Sequence, residues 1–369
     1  MNLTRRAFVQ SGVAGIAGAS LFGRSLFADE PQLSEEERKR REERSPETIA
    51  RQLASIYGQQ IKSVSYIPSM AVIGRLRLAR LRDDQQAIDQ CLELANKLTQ
   101  LADSREVKPG PEGAGLILLA EAAPLLPAAE RERSIAVLRR LADKAFNKNG
   151  KPLPAMPGHN EMSDGVFMCC PLLAATGQLT GESRYFEACE NHFDFMRSLC
   201  EREDGLYRHS PLCEAPWGRG NGFPALGLTM SLDYLPKQHS AYEKFRKAAD
   251  KLLTAVQKHA DPMIHQVVDY RESYREFSGT AMCSIASLRL KKHRPQDQPK
   301  NEARARWVGD AWTELKRRIS DNGELVAVCE STGKQKTLED YLKRKAIMGR
   351  DDRGGAFALV LAVELMQSQ

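Results

Sequence analysis

Metal-ligand spacings, one-sided charge and long apolar runs are what this chain lacks, and each absence removes a class of function. Eight cysteines are present, yet no two form a C-x-x-C pair and no Cys/His spacing fits a zinc site. A structural zinc module and a dithiol redox site are therefore not expected, nor is any metal or cofactor. In a chain of 369 residues such cysteines read mostly as small buried hydrophobes, although an exported protein could pair them. The net charge is only +6, and basic residues alternate with acids, as in SEEERKRREER from Ser34 to Arg44. No basic stripe of the kind that tracks a phosphate backbone is present, which excludes nucleic acid as the expected partner. Strand-like alternation is scarce. No Pro-, Gly- or Ser-rich linker divides the body of the chain.

The most apolar stretch, Ser11 to about Phe27, is glycine-rich and broken by Arg24. A bilayer span needs about 20 strongly apolar residues. The stretch follows Thr4-Arg5-Arg6-Ala7-Phe8-Val9, the twin-arginine export pattern, and Ala28 suits a cleavage site. Residues 1–28 thus read as a removable signal, and the mature protein is expected in the periplasm or secreted, free of the membrane. Residues 29–44 read as a charged linker or helix, and residues 45–369 as one domain.

Helix signals fill that domain. Ser45-Pro46-Glu47 is an N-cap followed by proline at the first helical position. Tyr242, Phe245, Ala249, Leu252, Leu253 and Val256 recur at helical spacing between Ser240 and His259. Turn signals recur at Asn149-Gly150, Asp204-Gly205, Asp261-Pro262 and Asn322-Gly323, about 55 to 61 residues apart. A period of this size suits one helical hairpin per unit, with five or six units stacked on a shared core. The expected architecture is all-α, a closed toroid of helical hairpins, with an open solenoid as the alternative. Leu290 to Arg304 reads as a surface loop between hairpins.

The loops after these turns hold the chemistry. The densest is DGLYRHSPLCEAPWGRGNGF, residues 204–223. His209, Trp217, Arg219 and Asn221 lie there among glycines that permit close backbone approach. Arginine offers a planar fork for a carboxylate, and tryptophan a flat face for a sugar ring. An anionic sugar would suit such a site, whereas a plain Gly-rich connection with Trp217 as a core residue is the alternative. One loop earlier, Asp164 precedes Gly165 and an apolar helix. Two readings stand there: a helix N-cap accepting a backbone N–H, or a carboxyl at a cavity mouth able to give and take a proton. His159 is a lone histidine, for which a structural role is the competing reading. ESYREFSGTAM (Glu272 to Met282) and DDRGGAFALVLAVEL (Asp351 to Leu365) repeat the pattern of polar residues leading into an apolar helix.

Taken in order, SDGVFM, PLLAATGQLTGESRYFEAC, DGLYRH, WGRGNGF, SGTAM and RGGAFALVLAVEL resemble the unsaturated rhamnogalacturonyl hydrolases, which are related to the unsaturated glucuronyl hydrolases. The likeness is strongest from about Asn149 to Leu365. It implies an (α/α)6 barrel that acts on an unsaturated uronyl oligosaccharide, freeing 4,5-unsaturated uronic acid from the non-reducing end of lyase products. In this resemblance Asp164 matches the proton donor and water activator of a reaction that hydrates the C4=C5 bond. His209 and Arg219 match residues contacting the uronate or its hydroxyls, and Trp217 matches a stacking aromatic. Asn221 belongs to the same substrate-binding motif. Three departures stand out. Members carry an acidic pair before a G-x-x-L-L helix, where this chain reads GPEGAGLILL with Glu112 the nearest acid. Phe223 replaces a usual tryptophan, and Phe277 a usual small residue. A sugar epimerase on the same toroid and a non-catalytic glycan-binding protein are the alternatives.

Overall fold

The computed structural model describes residues 31–294 and 296–368; the expected export signal, residues 1–28, lies outside the described residues. In chain order the helices are α1 (Glu35–Glu42), α2 (Pro46–Ala54), α3 (Tyr66–Leu81), α4 (Gln85–Asp103), α5 (Pro111–Gly115), α6 (Ile117–Ala122), α7 (Ala128–Ala142), α8 (Gly165–Thr180), α9 (Arg184–Cys200), α10 (Gly218–Leu232), α11 (Ser240–Gln257), α12 (Phe277–Lys292), α13 (Gln298–Arg317), α14 (Leu338–Leu342) and α15 (Asp352–Ser368). Strands β1 (Leu325–Cys329) and β2 (Ala346–Gly349) form one antiparallel pair, with a bulge between Val326 and Val328. No helix among the described residues is long and apolar enough to cross a membrane.

Thirteen of these helical segments build the toroid, α5 and α6 together forming one broken inner helix. An inner ring runs α3, α5 with α6, α8, α10, α12, α15, and α15 packs back on α3 to close it. Helices α2, α4, α7, α9, α11 and α13 stand outside. The six-hairpin closed ring is therefore realised, not the open solenoid. Burial explains the two kinds of helix. In outer α11 one face is buried (Tyr242, Phe245, Ala249, Leu252, Leu253, Val256), as its spacing foretells. Inner α10 is buried along its whole length, so it shows no amphipathic period. Inner helices approach closely where side chains are absent: a Cβ at Gly227 would lie 2.6 Å from the Phe167 Cα.

The recurring turns have one structural meaning. Each follows an outer helix and closes a small hairpin, seen as the bridges Phe146–Pro152, Glu201–Tyr207, Asp261–Met263 and Ile319–Leu325. Gly150, Gly205 and Gly323 take positive φ (72°, 90°, 77°) in three of them, which only glycine does freely. From each hairpin the chain crosses to the amino end of the next inner helix. All six inner helices start at the same face of the toroid.

One expectation needs correction. The Leu290–Arg304 segment is mostly helical, because α12 runs to Lys292 and α13 begins at Gln298. The charged 29–44 segment, read as a linker or helix, carries helix α1 and is bonded to the end of α13. Ser34 caps α1, and Arg41 donates to the Arg317 carbonyl while Arg44 donates to those of Lys316 and Ile319. These guanidinia supply donors to carbonyls that the end of α13 leaves without helical partners. Ser45 caps α2 with Pro46 at its first turn, as read. All eight cysteines are unpaired, and seven are buried.

Candidate active site

One aromatic from each of four inner helices meets at the axis of the ring. Tyr66, Phe167, Phe223 and Phe357 lie with centroids 5.4–6.4 Å apart. They plug the toroid. Above Tyr66 and Phe223, at the amino ends of the inner helices, a cavity of about 370 Å³ opens, within the range of small-ligand sites. Asp164, Trp217, Arg219, His159 and Arg353 line it, as do Ser331 to Gly333 from the β1–β2 excursion. Lys334 of that excursion pairs with Glu161 of the loop before α8.

Asp164 is 6 % exposed and stands at the start of α8, but its side chain caps no backbone N–H. The N-cap reading therefore does not hold. Other acids at inner-helix starts behave differently. Glu276 accepts from Ser278 and Gly279 N–H groups at α12, and Asp351 accepts from Gly354 N–H at α15. Asp164 Oδ1 instead lies 3.3 Å from His209 Nε2, without hydrogen-bond alignment, and neither atom has a hydrogen-bond partner among the described residues. A buried carboxylate oxygen left in this way is costly, and such atoms call for an explanation.

His209 sits behind Asp164, fully buried. Its Nδ1 shares a 2.9 Å hydrogen bond with the Tyr341 hydroxyl from α14, and its ring packs 4.6 Å from that of Trp217. Gly220 leaves room for both: a Cβ there would lie 3.0 Å from the Trp217 ring. His209 thus packs behind Asp164 without a hydrogen bond to it and does not itself line the cavity.

Arg219 is 2 % exposed and stacks over Trp217 at 4.6 Å. Nη1 donates to Ser278 Oγ (3.1 Å) and the Cys329 carbonyl (2.6 Å), and Nη2 to the Glu330 carbonyl (2.8 Å). Its Nε–H has no partner among the described residues. One Nη2 N–H lies on the same edge, so the guanidinium is pinned at its tip and offers its Nε side. Such an edge matches a carboxylate. The Trp217 indole N–H is likewise buried and unpartnered.

Asn221 is not brought to the cavity. Its Oδ1 accepts from Tyr207 N–H, and Nδ2 donates to the Tyr207 and Trp217 carbonyls. The amide is spent on holding the loop that carries Trp217, and the expected sugar contact gives way to that positioning task. Glu112 also turns elsewhere, pairing with Arg105 at 3.1 Å and accepting from Lys108 N–H. Among the described residues Asp164 is the one carboxyl lining the cavity.

Arg353 and Tyr66 were not singled out in the sequence. Arg353 Nε donates to the Tyr66 hydroxyl at 3.1 Å, joining the last inner helix to the first. The RGG signature at the start of α15 contains Arg353, but its partner is 287 positions away. No group of three or more His, Cys, Asp or Glu able to hold a metal occurs among the described residues.

The profile of Glycosyl Hydrolase Family 88 matches residues 131–369. Three solved structures illustrate the likeness in fold. A possible member of the GH105 family from Klebsiella pneumoniae superposes with a TM-score of 0.70 at 19% identity, covering 92% of this chain and 95% of its own. A family 105 glycoside hydrolase from C. acetobutylicum gives 0.72 at 16% identity, covering 86% and 99%. The unsaturated glucuronyl hydrolase of Bacillus sp. GL1, described as responsible for the degradation of glycosaminoglycan, gives 0.64 at 14% identity, covering 89% and 96%. No curated protein matches the chain significantly.

Proposed function

The chain belongs to Glycosyl Hydrolase Family 88, and on that premise we propose that it releases 4,5-unsaturated uronic acid from the non-reducing end of oligosaccharides left by polysaccharide lyases. The single observation that carries this reading is the solitary carboxyl. Ordinary glycosidases flank the scissile bond with two acids. Here one acid faces the cavity, which suits protonation of a double bond better than direct displacement at C1.

In this reading the unspent Nε edge of Arg219 receives the uronate, and the sugar lies against Trp217. Asp164 delivers a proton to C4 of the C4=C5 bond. Positive charge then develops at C5, shared with the ring oxygen, and water adds there. The hemiketal opens by cleavage of the bond between C5 and the ring oxygen. C1 is left as a hemiacetal, which expels the aglycone alcohol. His209, fixed by Tyr341, stands 3.3 Å behind Asp164 and bounds its side of the site. Export by the twin-arginine route belongs to the same proposal, since lyase products of extracellular polysaccharides arise outside the cytoplasm.

The test is loss of the ultraviolet band of the conjugated C4=C5 bond, followed on lyase-digested pectin, ulvan and glycosaminoglycan. Wild-type protein is expected to bleach the band on at least one digest, with Asp164→Asn slower by about 10³-fold. Full activity in Asp164→Asn would exclude the assignment.

A further inference from the structure

Hydration moves two protons: one onto C4, and one off the attacking water. The cavity holds a single carboxyl among the described residues, and one lining side chain besides it titrates near neutral pH, namely His159. Resting on the reading above, we propose that in this chain His159, and not the Asp164 carboxylate as the resemblance implies, is the base that draws a proton from the water attacking C5, so that Asp164 serves as proton donor.

The contrast with His192 carries the argument. His192 is a satisfied core histidine: Nδ1 accepts from Met156 N–H at 3.1 Å, and Nε2 bonds with the Gly165 carbonyl at 2.9 Å. Burial lowers it to about 4. The His159 ring is half-buried, faces the same cavity as Asp164, and has no hydrogen-bond partner among the described residues. Its backbone is also unusual, with φ of +54° directly after Gly158 at +82°. A non-glycine residue held in the left-handed region is strained, and such strain gathers at functional sites. A second loop makes the space. Gly110, at the start of α5, has no side chain, and a Cβ there would lie 2.9 Å from His159 Nδ1. On that wall Glu112 points outward, so the imidazole occupies ground that no acid fills.

Charge at the ring suits a base. Burial pulls His159 below its ordinary value of 6.5; Asp164 opposes this, while His209 and Lys334 add to it. The imidazole is therefore neutral, with a free lone pair, near pH 7. The step balances. The C4=C5 electron pair takes the Asp164 proton, forming C4–H and leaving a carboxylate. Water oxygen bonds to C5, and its surplus proton passes to His159, giving imidazolium. Imidazolium and carboxylate then exchange that proton, and one water has been consumed.

The test compares His159→Gln and His159→Ala in the full chain, on an unsaturated uronyl disaccharide produced by a lyase. Expected are a fall in kcat of about 100-fold, a KM close to wild type, and loss of the low-pH limb of kcat/KM. Added imidazole should restore part of the activity of His159→Ala. Wild-type kcat in both variants would overturn the proposal. So would a loss that imidazole does not relieve, with the pH profile unchanged in shape. A wild-type protein inactive on every unsaturated saccharide sinks this proposal together with the parent reading. Active wild type, inactive Asp164→Asn and unimpaired His159→Gln sink this one alone.

Discussion

The two ends of the inner ring treat buried charge in opposite ways. At the carboxyl ends of the inner helices, Glu364 is fully buried and accepts from three cations: Arg289 (2.5 Å), Arg77 (2.9 Å) and Lys292 (3.0 Å). Glu121 pairs with Arg77, and Asp233 with Arg289 and His293. The cations also sit where helix dipoles favour them. At the amino ends, Asp164 Oδ1, His209 Nε2, Trp217 Nε1 and Arg219 Nε are all buried without a hydrogen-bond partner among the described residues. In the cluster at the carboxyl ends every carboxylate is paired and Arg289 Nε is the one buried side-chain atom without a partner among the described residues; such mutual pairing holds a fold together. Groups left unsatisfied around a hollow are held ready for something else. On the function proposed above, the difference puts stability at one end of the toroid and chemistry at the other.

Substitutions at the two ends should therefore separate the two properties. The largest effect is expected for Asp164→Asn, which should lose the activity stated above while its melting temperature stays at or above that of wild type. A lower melting temperature would mean that the mouth is structural after all. Next, Glu364→Ala strands three cations and should cost about 3–5 kcal/mol in urea unfolding, with kcat of the folded fraction unchanged.

Acid should weaken the carboxyl end of the ring in a defined window. Burial alone would raise the Glu364 carboxyl, yet Arg289, Arg77 and Lys292 hold it down to about 2, against an ordinary 4.5. Arg289 is itself pulled below the usual guanidinium value by burial, but remains charged. Because the folded value is depressed, this contribution is complete above about pH 4.5 and is lost as the pH falls toward 2. Its size is on the order of 3 kcal/mol, readable from urea midpoints across that range. The Glu364→Ala protein should lack this part of the acid dependence. The smallest effect is expected for Arg219→Lys. It swaps a planar fork for a point charge and should raise KM by about tenfold, and the lost bonds to Ser278 and the Cys329 and Glu330 carbonyls should lower the melting temperature as well.

How much of this was legible in the sequence depended on whether the cause was local. The Asn-Gly and Asp-Gly turns and the outer helix α11 were readable, because a positive φ and a one-sided apolar face leave marks within a few residues. The inner helices were harder, since α10 is buried all round and carries no period. The β1–β2 pair went unread as strands: five and four residues, separated by a long excursion, give little alternation to detect. Asp164, Trp217 and Arg219 were singled out in the sequence, and they line one cavity. Asn221 sits in the same motif, but its neighbour fourteen residues back claims its amide. His159 looked like any solitary histidine. What sets it apart is the bare wall at Gly110, a tertiary fact.

Closure of the ring has a consequence for how the molecule is made. Helix α15 seals the seam against α3, and its first turn brings Arg353 to Tyr66. A chain emerging from the ribosome exposes the raw apolar flanks of α3 and α12 until those last residues arrive. The hollow does not exist before then, so neither does any catalyst. Truncation ahead of Asp352 should yield an insoluble product, not a weaker enzyme.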